Sequence, residues 1–181
     1  MKISTIKVLR GPNRWSVKRT NLIHMELDLE IYEDLPTNKI DGFTERLTKL
    51  IPTLYSHRCS VGKEGGFIKR MEEGTWCGHV IEHVALEIQC LAGMRCGYGR
   101  TRRTRRIGVY NIVFTYLNEY AGIYAALASV KLVKALASGK DYNVEPDIQE
   151  LSRIYKQEKL EPFQKLISPD LDKEEMLKAV G

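Results

Sequence analysis

The chain is poor in cysteine and lacks any apolar run approaching the ~18 residues that a membrane helix needs. Four cysteines in 181 residues (Cys59, Cys77, Cys90 and Cys96) are too few for a disulfide scaffold, and none forms a C-x-x-C pair. They are expected to be reduced, small, buried apolar side chains. The opening "MKISTIKVLRGP" has no signal-like apolar stretch followed by a small-residue cleavage site, so the expectation is a cytoplasmic protein with no membrane partner. Neither G-x-x-x-x-G-K-[ST] nor G-x-G-x-x-G occurs between a strand and a helix, which argues against a nucleotide cofactor. Acids are missing from Arg95 to Arg106, "RCGYGRTRRTRR", whose six arginines hold most of the formal charge of +5. Such a cluster calls for an anionic partner. Nucleic acid is one candidate, although only Tyr98 interleaves the arginines and no familiar nucleic-acid module is visible.

What is present suits one ordinary domain: 43% of the residues are hydrophobic, enough for a sizeable core. Asn21 to Leu29 alternates, with Ile23, Met25, Leu27 and Leu29 on one face, and predicts a half-buried strand. Strands are also predicted at Ile3 to Leu9 and at Ile107 to Leu117, where Tyr110, Ile112, Phe114 and Tyr116 share a face. Helices are predicted at Gly42 to Tyr55, at Thr75 to Ala92 with Gly93 as its stop, and at Glu119 to Ser138. The order β-β-α-α-β-α, without regular βαβ alternation, predicts an α+β domain with a mainly antiparallel sheet over residues 1–140. A helical tail or linker occupies 141–181, charged from Asp147 onward.

The stretch "TWCGHVIEHVALEIQCLAG" (Thr75 to Gly93) carries the chemistry. On a helix its core face is Cys77, Val80, Ile81, Val84, Ile88 and Leu91, which puts His79, Glu82, His83, Glu87 and Gln89 on or near the opposite side. His79 and His83, one turn apart, form H-x-x-E-H, the inverted zinc-peptidase pattern. The two imidazoles can share Zn²⁺, with Glu82 as general base toward a water whose pKa the metal lowers to roughly 7. A third ligand is needed. Glu87 is one candidate, and Glu119, from a second element, is preferred. The competing reading is an exposed amphipathic helix with a Glu–His pair. Glycine-bearing loops flank the helix, "HRCSVGKEGGF" before it and "AGMRCGYGRTRR" after it; His57 in the first is a further ligand or acid candidate.

Taken together, "IKVLRGPNRWS" (Ile6 to Ser16), "LDLE" (Leu27 to Glu30), "GGF" (Gly65 to Phe67), the histidine helix and "GYGRTR" resemble the N-terminal domain of bacterial cyanophycin synthetases, over residues 1 to 140. The resemblance implies a domain that holds cyanophycin, a poly-aspartate chain with an arginine on each side chain, and in some members cuts it into primers. It implies ATP-grasp and Mur-ligase-like partner domains, for which this chain is too short, and assigns the cleavage to His79, Glu82 and His83. A polymer that presents both signs calls for Arg100, Arg102 and Arg103, with Tyr98 beside them, toward carboxylates, and for Glu72, Glu73 and Glu87 toward guanidinium groups. The run Arg102 to Arg106 is more basic than the family's usual segment. The competing outcomes are a hydrolytic domain, a silent polymer tether and a nucleic-acid binder; an oligomer is compatible with each.

Overall fold

The computed structural model describes residues 1–16 and 21–167. Four strands, β1 (Lys2–Leu9), β2 (Leu22–Asp28), β3 (Gly99–Arg103) and β4 (Val109–Thr115), form one sheet in the order β1-β2-β4-β3, antiparallel throughout. Five helices, α1 (Phe43–Leu50), α2 (Gly66–Glu73), α3 (Cys77–Leu91), α4 (Glu119–Ala137) and α5 (Glu145–Ile167), complete the α+β domain that the strand and helix order predicts.

Period-two alternation decides which face of the sheet the helices cover. Ile23, Met25 and Leu27 of β2 stand opposite Phe114, Ile112 and Tyr110 of β4, and all six are buried. Each such side chain contributes ~1.5–3 kcal/mol of transfer free energy. The other face is mixed: His24 Nε2 lies 2.7 Å from Asn111 Oδ1, and the Trp15 ring, 5.4 Å from the His24 ring, packs with Leu22 and Val113 in a small apolar cluster.

Several elements depart from the sequence reading. α1 stops at Leu50 rather than Tyr55 because Ile51 precedes Pro52 and is driven out of the helical region, to φ −132° and ψ 78°; Pro52–Ser56 continues as a 3₁₀ turn. α2 lies where a loop is expected, with Phe67, Ile68 and Met71 turned into the core. β3 is a strand of arginines with no apolar alternation to announce it. It forms the charged edge of the sheet, a pattern that discourages pairing with another chain.

α3 is not half-exposed. Twelve of its fifteen residues are buried, including Glu82, His83 and Glu87, because the sheet, α4, α5 and the segment around Pro52–Ser56 surround it. α4, at 19 residues with mean hydropathy 1.3, is long and apolar enough by composition to cross a membrane, which corrects the expectation that no run comes near that length. It is the core helix here, and 56% of its apolar window is buried. α5 accounts for the expected helical tail up to Ile167 and docks on α3 and α4 through fully buried Leu151; residues 168–181 of that tail lie outside the described residues.

Candidate metal centre

α3 presents His79, Glu82, His83 and Glu87 to one cavity of about 710 Å³, whose opposite walls are the turn from Ser56 to Cys59 and the segment from Cys96 to Thr101. Ligand-capable atoms of Cys59, His79 and His83 all lie within 4.8 Å of one another. Cys59 Sγ is 3.3 Å from His79 Nε2. A thiolate and an imidazole sharing one tetrahedral zinc ion stand roughly 3.5 Å apart, given Zn–S of ~2.3 Å and Zn–N of ~2.0 Å. The donor set therefore fits zinc, with the cavity side left open.

Two local features place the Cys59 thiol. Cys59 has φ +50°, a left-handed conformation that non-glycine residues avoid and that the surrounding fold must hold. Gly66, which opens α2, lies so close to the Arg58 carbonyl that any Cβ would collide with it, so α2 can press against the Cys59 turn only with glycine there. Cys59 is only partly buried, as are Cys90 and Cys96, which departs from the expectation of fully buried cysteines. Cys77 does behave as expected, fully buried in the core.

The histidines are oriented from behind. Thr75 Oγ1 is 3.0 Å from His79 Nδ1, leaving Nε2 to face Cys59. His83 Nδ1 is 2.8 Å from His57 Nδ1, and His57 Nε2 is 2.7 Å from Glu87 Oε2. This chain of contacts accommodates a neutral arrangement in which Glu87 accepts from His57, His57 accepts from His83, and His83 Nε2 is left for a metal. Phe67 stacks on His83 with centroids 3.9 Å apart. Burial first, then the Arg70 charge, lowers the His79 pKa to about 4. Burial, then His79 and His57, lowers His83 to about 2. Both rings are therefore neutral at pH 7, the form that binds a metal.

Glu82 stands apart from this set. Thr101 Oγ1 donates to Glu82 Oε2 at 2.6 Å, and a Cβ on Gly99 would come within 2.6 Å of Glu82 Oε1, so β3 packs onto the carboxylate through residues of minimal size. Burial raises its pKa to about 7, against the opposing Thr101 hydrogen bond, which poises it to exchange a proton near neutrality. Burial raises the Glu87 carboxyl as well, but hydrogen bonds from His57 and Thr53 outweigh it, and the group sits below the usual range.

The remaining expected residues scatter. Glu119, the preferred third ligand, opens α4 and pairs with Arg10, whereas the candidate ligand group contains Cys59. Glu87 serves His57 rather than a metal. Arg100 and Tyr98 line the cavity, Tyr98 donating to the Trp15 carbonyl at 2.6 Å. Strand alternation separates the arginines: Arg100 and Arg102 pair with Val113 and Asn111 on the outer register, whereas Arg103 pairs with Tyr110 on the helix side, bonded to Glu33. Glu72 and Glu73 are exposed on α2 away from the cavity, with Glu73 paired to Lys69. Cys59, Thr75 and Thr101 were not legible as site residues; the positive-φ turn and the β3 pairing that deliver them leave no periodic trace.

Comparisons with known proteins give the family of the chain. A family described as the cyanophycin synthase-like N-terminal domain matches residues 24–138. Cyanophycin synthetase of Trichormus variabilis (strain ATCC 29413 / PCC 7937) is 46% identical over 176 residues, 96% of this chain and 20% of that protein. The Synechocystis sp. (strain ATCC 27184 / PCC 6803 / Kazusa) enzyme is 45% identical over 175 residues, 95% of this chain and 20% of the relative. That of Geminocystis herdmanii (strain PCC 6308) is 48% identical over 154 residues, 85% of this chain and 18% of the relative. The similarity extends past residue 140, beyond the segment that carries the sequence resemblance, and the chain spans about a fifth of the length of these relatives. With the family match covering more than half of it, the chain belongs to the cyanophycin synthase-like N-terminal domain family.

Proposed function

We propose that this domain holds cyanophycin and hydrolyses it at a zinc centre formed by Cys59, His79 and His83, with Glu82 as general base. The observation that carries the reading is the convergence of three soft ligands and a carboxylate poised near pH 7 on the wall of one cavity. Sulfur and imidazole donors favour zinc over magnesium. When bound, the ion would supply Lewis-acid polarisation of a carbonyl and of water. Glu82 takes the proton of the attacking water and returns it to the departing amine, so one amide bond breaks and one water is consumed. Thr101 holds the carboxylate in place through this exchange. Tyr98, Arg100 and Glu87 offer a phenol, a cation and an anion to a polymer that carries both charge signs. In a full-length synthetase the product chains would serve ATP-grasp and Mur-ligase-like domains as primers; nothing in this chain is assigned to a nucleotide.

The test is incubation of the zinc-loaded chain with cyanophycin without ATP, following chain length and new amino termini. Glu82→Gln keeps the shape but cannot take the proton, and it should slow cleavage by ~10²-fold or more with zinc content unchanged. Equal cleavage by Glu82→Gln would remove Glu82 from the mechanism. A second reading, a silent tether, is favoured by the outer-face placement of Arg102, away from the cavity. It requires that zinc-loaded wild type bind the polymer and never shorten it.

A further inference from the structure

A second cavity of about 280 Å³ adjoins the first, with His79 and Thr101 in the walls of both. Its own walls are Arg70 from the end of α2, Trp76 before α3, and Arg103 and Tyr110 from β3 and β4. No acid lines it. The first cavity, by contrast, contains Glu82 and Glu87.

The two guanidinium groups differ in availability. Arg103 is held by Glu33, its Nε donates to the Tyr110 hydroxyl at 3.0 Å, and its guanidinium carbon lies 5.7 Å from both the Trp76 and Tyr110 ring centroids. Its charge is offset by Glu33, but its orientation is set before any ligand arrives. Arg70 is exposed and has no acidic partner among the described residues, so it supplies the uncompensated positive charge. One oriented guanidinium, whose Nη1 has no partner among the described residues, one uncompensated cation and a flanking indole make a surface that accepts a carboxylate.

We propose that this second cavity is a carboxylate-binding subsite, built on Arg70 and Arg103, that receives the acidic group flanking the bond cut in the first cavity. Its role toward substrate rests on the hydrolytic reading above; its affinity for carboxylate does not. The pair of cavities then fixes the direction of a substrate that carries both signs, acid toward Arg70 and guanidinium toward Glu87. The carboxylate has two sources, an α-carboxylate or an acidic side chain.

The experiment follows the two indole N–H signals of the full, metal-free chain, Trp76 in the cavity wall and Trp15 on the opposite sheet face as control. N-acetylarginine presents an α-carboxylate, the α-amide of N-acetylaspartate presents a side-chain carboxylate, and acetamide is the neutral control. At least one carboxylate should shift Trp76 saturably without moving Trp15, and the stronger of the two identifies the source. Arg70→Gln, an exposed substitution that leaves the Arg103–Glu33 pair intact, should weaken that binding about tenfold, the scale of one charge-assisted contact. In the zinc-loaded cleavage assay the same variant should raise KM with kcat and zinc content nearly unchanged. Trp76 signals that ignore both carboxylates, or respond equally in Arg70→Gln or to acetamide, overturn the subsite. Absence of zinc binding or cleavage with an Arg70-dependent Trp76 shift would instead overturn the hydrolytic reading alone.

Discussion

His83 shows how much rests on single side chains behind the candidate metal. Its ring is buried, stacked on Phe67 and bonded to His57, which is in turn held by Glu87. Partners of this kind typically change metal affinity by ~10–100-fold when removed. His57→Ala should therefore lower zinc affinity on that scale, measured by competition with a chelator, while His57→Gln, which keeps an acceptor for His83, should restore part of it. An unchanged affinity in His57→Ala would reduce the Glu87–His57 pair to packing. The same burial alters an expectation drawn from the helix wheel, which makes both histidines removable without structural cost. His83→Ala leaves Phe67 facing a void and should destabilise the apo fold by about 1–3 kcal/mol in denaturant unfolding, more than exposed-face substitutions do.

Between elements, the docking of α5 depends on one carboxylate. Asp147 is buried and accepts from Tyr124 of α4 at 2.9 Å and from Tyr142 at 2.8 Å. Asp147→Ala leaves two phenols without their acceptor and should cost about 1–3 kcal/mol, read as a lower thermal midpoint and earlier proteolysis within α5. The clasp also has a pH signature. Burial first, then Asp147, raises both tyrosines, Tyr124 to about 12 and Tyr142 further. Groups whose folded pKa exceeds the unfolded value of ~10 stabilise the fold fully below that value and lose the contribution as pH rises through the folded one. Stability should thus fall from about pH 10 upward, and the fall should be shallower in Tyr124→Phe, Tyr142→Phe chains. Equal alkaline slopes would detach the phenols from it.

Across the molecule the basic charge is divided by the sheet. Arg103 turns to the helices and the second cavity, Arg100 reaches the rim of the first, and Arg102 stands on the outer register. Replacing Arg100 and Arg102 with serine should weaken polymer binding and flatten its dependence on salt, because contacts near solvent are screened within ~10 Å at 0.1 M. Retained cyanophycin affinity with a collapse in RNA affinity would instead assign the arginines to nucleic acid.

The inner faces of β2 and β4 and the buried run of α3 were legible because they repeat with periods of two and 3.6, and H-x-x-E-H was legible because its members share one helix. Local spacing alone therefore determined the α+β class, the sheet faces and the pairing of His79 with His83. The third candidate ligand was not legible. Cys59 reaches the histidines through a turn with positive φ and the close approach of α2 at Gly66, and Glu119 is taken to Arg10 by the start of α4. Thr101 meets Glu82 only because the arginine-rich edge pairs with β4. Even the burial of His83, on the side of α3 that the wheel leaves to solvent, comes from a segment more than twenty residues earlier folding over it. Contacts between residues distant in sequence leave no periodic mark on either one, so tertiary structure alone decided which side chains complete the site.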